Sequence, residues 1–251
     1  MTLGLDSVAG VLFLLFCRIG GCIMTMPGFS SPRVPMRARL YIAIGVTVAL
    51  APVLAELATP IVAGASAATL GFAIVGELMV GVFIGSLARL FFFALETLAN
   101  AAVTTAGLGN VMGAPMEEAE ALPALSSLVM LGATTLVFVL DQHWEMIRGI
   151  VQSYAAIPIR QSLQVQDMLT EYMKVLTEAF LVALRISSPL LLFGLIVNLS
   201  FGLLNRMTPQ VPVYFVSTPL LIALGTYWFY ITADDFFSAF TSTFGSWLQT
   251  G

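Results

Sequence analysis

Charge is scarce in this chain. Charged residues fill 10% of its 251 positions, hydrophobic ones 59%, and the mean hydropathy is +0.96. An ordinary soluble domain is about a quarter charged, so there is too little polar surface here to cover a core of this size in water. That excludes a cytoplasmic enzyme and a disordered chain. With 10 basic residues against 14 acidic ones and no basic patch, it also excludes a nucleic-acid binder. Histidine occurs once, at His143, and cysteine twice, at Cys17 and Cys22. Five positions apart on a helix, the two thiols point about 140° apart, so they share neither a disulfide nor a metal. His143 has no second ligand at metal spacing. No P-loop, GxGxxG or Ser-His-Asp order is present, so the chain is expected to be neither an enzyme nor a cofactor protein. Positions 1–7 lack a basic segment and Arg18 lies inside the first apolar run, which predicts a retained helix rather than a cleaved signal.

What is present is long apolar runs, at 8–26, 40–55, 69–98, 121–140, 175–204 and 211–233. Several approach the 20 residues that a helix needs to cross a bilayer. Nothing alternates with period two, so barrel strands are excluded and an all-α integral membrane fold is expected. Hydropathy predicts six or seven spans in one compact helical unit. Two amphipathic stretches accompany them. Val165, Met168, Leu169, Tyr172, Met173 and Leu176 recur at helical spacing and predict an interfacial helix. Phe236, Phe237, Phe240, Phe244, Trp247 and Leu248 do the same in the tail, as a membrane-surface anchor or a docking face for a neighbouring subunit. Tyr227, Trp228 and Tyr230 read as an interfacial aromatic belt.

Three connections stand out. Residues 27–39 read PGFSSPRVPMRAR. The prolines make a rigid loop, and Arg33, Arg37 and Arg39 place it in the cytoplasm by the positive-inside rule, with the N-terminus outside. Residues 205–212 read NRMTPQVP, a turn in which Arg206 again points to the cytoplasm. Residues 107–123 read GLGNVMGAPMEEAEALP, rich in glycine and glutamate. Two cytoplasmic arginine loops require the 69–140 section to begin and end outside, as a hairpin folded into an assembly. Its glutamates cannot sit in lipid but can line a water-filled pore.

Within the runs, Arg18 and Arg185 are expected to be buried charges facing a partner or a cavity. Arg89 and Glu96, and Glu178 and Arg185, are each seven apart. Each pair therefore shares a helix face at about 10 Å, too far for direct contact. Gly81 and Gly85 form a GxxxG, extended backwards by Gly76 and Gly71. Gly194, Asn198, Gly202 and Arg206 step by four. Small residues at that spacing let helices approach closely, and an Asn among them can hydrogen-bond across.

Together, RIGG at 18–21, PGFSSPRVPMRARL at 27–40 and NRMTPQVPVYFVSTPL at 205–220 resemble the flagellar biosynthetic protein FliR family, an export-gate subunit of type III secretion with a homologue in virulence injectisomes. The resemblance covers most of the chain. It implies a non-enzymatic subunit that assembles with FliP and FliQ, in the bacterial inner membrane at the flagellar basal body, into the pore through which unfolded flagellar proteins leave. It implies a fold like a fusion of those partners, with a FliP-like part over about 1–160 and a FliQ-like hairpin and tail over about 161–251. It makes 107–123 a pore plug, with Gly107, Gly109, Met112, Gly113, Pro115, Met116 and Glu117 as plug residues. It turns Asn205, Arg206 and Pro209 towards the FlhB switch protein in the cytoplasm. The Glu117, Glu118 and Glu120 cluster departs from the family's usual plug. Three other readings use the same residues: the homologous export-gate subunit of an injectisome, a secondary transporter with Glu77, Arg89 and Arg185 as its site, and a scaffold that conducts nothing.

Overall fold

The computed structural model describes residues 5–31, 33–63, 66–108, 124–159, 165–207 and 213–250. Seven helices fill the described residues: α1 (Leu5–Thr25), α2 (Met36–Val62), α3 (Ala67–Thr105), α4 (Ala124–Val139), α5 (Gln142–Ala156), α6 (Val165–Met207) and α7 (Val213–Thr250). Among those residues no strand occurs, as expected where lipid forces every backbone group to be paired within its own segment.

Helix ends fall where the sequence stops supplying a backbone partner. Pro35 precedes α2, at a place where its missing N–H costs nothing. α4 and α5 are parted at Leu140–Asp141. Asp141 takes a left-handed conformation at φ 57, which short polar side chains tolerate. Two residues past the end of α3, Gly107 turns left-handed at φ 75. There Gly107 N–H donates to the Thr104 carbonyl and Leu108 N–H to that of Val103, a Schellman motif. Prolines inside helices do not end them: α2 runs through Pro52 and Pro60, α6 through Pro189 and α7 through Pro219.

α1, α2, α3 and α6 are long and apolar enough to cross a membrane, and α4 with α5 makes a fifth candidate span bent by 71°. The hydropathy count of six or seven is therefore not the count of bilayer-length helices among the described residues. One reason is that runs merge. The interfacial helix expected at 165–176 and the span at 175–204 are one unbroken helix of 43 residues. At 1.5 Å per residue it is about 65 Å long, some twice the hydrocarbon thickness.

The helices pack as two compact units, each drawn from two separated stretches: Met1–Leu90 with Asp141–Val175, and Phe91–Leu140 with Leu176–Gly251. In the first, α1 lies against α2 and its buried side chains include Leu14, Leu15, Ile19, Leu54 and Ile150. In the second, Ala102, Val103, Ala106, Leu108 and Leu190 form a core flanked by Leu125, Phe193 and Phe229. Here the tail departs from both sequence expectations, membrane anchor and docking face. α7 continues to Thr250 and its Phe240 and Phe244 are fully buried. Phe92 meets Phe240 at 5.3 Å and Phe244 at 5.7 Å, and Phe91 meets Trp247 at 4.9 Å, between ring centroids. The stripe was legible, but its partner is α3 of the same chain.

Candidate functional site

Two polar arrangements join helices in this structure, one buried and one exposed. The first is built on Arg18. α1 and α3 cross where side chains are smallest. A Cβ on Gly81 would overlap the Arg18 carbonyl, and one on Gly85 would overlap the Thr25 hydroxyl and approach the Cys22 carbonyl to 2.5 Å. The sequence expectation for Gly81 and Gly85 thus has a concrete counterpart. The stripe stops there, since Gly71 and Gly76 have nothing within 4 Å of the built Cβ.

That crossing brings Arg18 to Glu77. Arg18 is fully buried and Glu77 is 3% exposed. Arg18 Nε donates to Glu77 Oε2 at 2.7 Å and Nη2 donates to Oε1 at 2.8 Å, the bidentate geometry that makes such pairs strong. The other side of the guanidinium faces the end of α5. Nη1 donates to the Ser153 carbonyl at 3.1 Å and to Ser153 Oγ at 3.3 Å, and Nη2 donates to the Ile157 carbonyl at 2.9 Å. The Tyr154 ring stacks under the guanidinium carbon at 4.1 Å. All five N–H groups of the arginine are thereby used. The cation also lies at the negative end of the α5 dipole.

The second arrangement holds the end of α3. Among the described residues no backbone N–H donates to the Thr105 carbonyl, and Asn198 Nδ2 donates to it at 2.6 Å. One turn earlier on α6, Gly194 leaves room for this approach: its Cβ would lie 2.6 Å from the Thr105 carbonyl carbon and 2.7 Å from Ala106 N. From α7, Gly225 faces the Leu108 side chain at 3.2 Å and Leu221 faces Gly107 at 3.4 Å, each measured from the glycine's built Cβ. Gly107 and Leu108, where the 107–123 connection begins, are thus held by α6 and α7. Of the expected plug residues, Gly107 is in this turn. Gly109, Met112, Gly113, Pro115, Met116 and Glu117 lie outside the described residues.

The remaining candidates stand apart from these two places. Arg39 closes its own loop, with Nη2 donating to the Ser31 carbonyl at 2.6 Å and Nε to that of Val34 at 3.1 Å. Arg33, Arg37, Asn205 and Arg206 are exposed, and Pro209 lies outside the described residues. Gly202 has nothing within 4 Å of its built Cβ, unlike Gly194 on the same helix. Arg185, expected to be buried, is exposed in this chain, as is Glu178, and the two make no ion pair. An apolar run in sequence places a residue on an apolar helix, and only packing buries it. Sequence reading missed the Arg18–Glu77 pair because the partners are 59 residues apart. The one available signal was that each is the sole charge within about ten residues of its run.

Comparison with known proteins covers nearly the whole chain. Residues 9–247 match the bacterial export proteins, family 1. The chain is 32% identical over 216 residues to the flagellar biosynthetic protein FliR of Caulobacter vibrioides, covering 86% of this chain and 85% of that one. It is 27% identical over 219 residues to FliR of Escherichia coli, covering 87% and 82%. It is 28% identical over 216 residues to FliR of Aquifex aeolicus, covering 85% and 81%.

Proposed function

The chain belongs to the bacterial export proteins, family 1, as a membrane-embedded subunit of the flagellar type III export apparatus, and from that membership we propose that it forms the export pore together with FliP and FliQ. The observation that carries this reading is the family match over 9–247 on a chain whose described residues include four bilayer-length apolar helices. Its site is the bacterial inner membrane at the flagellar basal body. Its first part, about 1–160, acts as a FliP-like element, and α6 with α7 acts as a FliQ-like hairpin. The loops at 27–39 and 205–212 face the cytoplasm, the latter towards FlhB.

On this reading the 107–123 connection is the plug of the closed pore. Support comes from its root. The end of α3 is gripped by Asn198, Gly194 and Gly225, which gives a loop in the lumen a fixed point of attachment. Gly202 and Arg185, exposed on α6, are then faces for the neighbouring gate subunits. An unpaired cation on an apolar helix requires an acidic partner or water.

Affinity purification of the tagged chain from its own membranes tests the assembly. FliP- and FliQ-like chains should co-purify in stoichiometric amounts. Recovery of the chain alone under mild detergent would overturn the gate reading.

A further inference from the structure

A chain emerging into a membrane meets the cost of Arg18 at once. From Val8 to Thr25, α1 carries no other charge and is of bilayer length, and a lone arginine near the middle of such a segment opposes its stable placement in lipid. The groups that neutralise this arginine come much later. Glu77 follows by 59 residues, and the Ser153 and Ile157 carbonyls by 135 and 139. No group from α1 itself takes part, and the guanidinium has no donor left over.

We propose that Arg18 acts as a completion latch: α1 takes up its final position in the membrane only when α3 and the end of α5 have arrived to receive the cation. The chemistry of the receiving groups makes the latch directional. Glu77 is a carboxylate, and α5 presents carbonyl oxygens at its dipole's negative end. Both sides accept hydrogen bonds, so only a donor-rich cation at position 18 satisfies them together. Glycines at 81 and 85 bring the backbones close enough for the pair to form. This is independent of the pore and plug readings, because every group involved lies in the first compact unit.

The chain carries its own reporters. Cys17 and Cys22, its only cysteines, are both on α1 and both buried, so a maleimide reaches them only when α1 leaves its place. The experiment uses the full chain in native membrane vesicles. The wild type should label slowly. Glu77→Leu strands the cation and should label at least tenfold faster. Glu77→Leu combined with Arg18→Met removes the need for a latch and should return labelling to within twofold of wild type. The reversed pair, Arg18→Glu with Glu77→Arg, keeps the attraction between the two positions but turns a carboxylate towards the α5 carbonyls. It should label as fast as Glu77→Leu. If Glu77→Leu is cleared from the membrane, abundance becomes the readout. The apolar pair should then restore the chain at least fivefold over the single variant, and the reversed pair should not. Slow labelling of Glu77→Leu at normal abundance overturns the proposal. So does an apolar pair no better than the single variant, or a reversed pair that behaves like wild type.

Discussion

Asn198 is a neutral residue given a task usually left to the helix backbone. Its amide takes the Thr105 carbonyl that the α3 turn leaves over. In lipid or in a protein interface no water replaces a lost donor. Asn198 is itself exposed, so Asn198→Leu should lower stability by about 0.5–1.5 kcal/mol, the net worth of a typical intramolecular hydrogen bond, and thermal unfolding of the purified chain reads it directly. An unchanged midpoint would show that water reaches Thr105. The contrast with Arg18 is one of charge. Removing one member of a buried ion pair costs about 3–5 kcal/mol, whereas replacing both by apolar residues is often neutral. Asn198 was legible as a polar residue on a small-residue stripe, and Arg18 as a costly charge. Their partners were not, because helical spacing describes neighbours within about one turn, and these contacts span 93 and 59 residues.

Among elements, close approach is concentrated at a few glycines. Gly81→Leu should force α1 and α3 apart at the Arg18 carbonyl, and Gly194→Leu should force α6 from the end of α3. Overpacking of this kind costs about 1–3 kcal/mol, so both variants should lower the unfolding midpoint of the isolated chain. Gly202→Leu should not, since its Cβ meets nothing. If it instead lowers recovery of the multi-subunit complex, α6 meets a partner there. The tail helix gives the opposite case, packing through size. Phe244→Ala should cost about 3–5 kcal/mol, because Phe244 is fully buried against Phe91 and Phe92. The helices themselves were legible from apolar runs and the absence of period-two alternation. Their lengths were less so. The stretch at 165–176 reads as a separate interfacial helix, yet α6 runs through it and on past Pro189, since a membrane-spanning helix tolerates a proline that neighbouring groups can compensate.

For the molecule as a whole, family membership was legible from the three motif segments, and the match over 9–247 bears it out. Orientation follows from the arginine loops and makes a firm expectation. A reporter fused after Arg39 or at Arg206 should read cytoplasmic, and a periplasmic signal at both positions would reverse the orientation. Deletion of residues 109–118 should leave the complex assembled but leaky to ions. Wild-type leakage with the complex intact would remove the plug role. Partition into two units drawn from separated stretches is not something a pass along the chain displays, because α3 and α6 carry no punctuation at the points where the units divide.

The Arg18–Glu77 pair also has an electrical consequence. Moving one elementary charge across the full membrane potential involves about 2.3 kcal/mol per 100 mV. A cation and an anion held within 2.7 Å of each other sum to zero, so voltage does almost no work on them as they move together. An energised membrane should therefore leave the position of α1 unaltered in the wild type. In Glu77→Leu the same helix carries one uncancelled charge, and dissipating the potential should change how fast its thiols are reached.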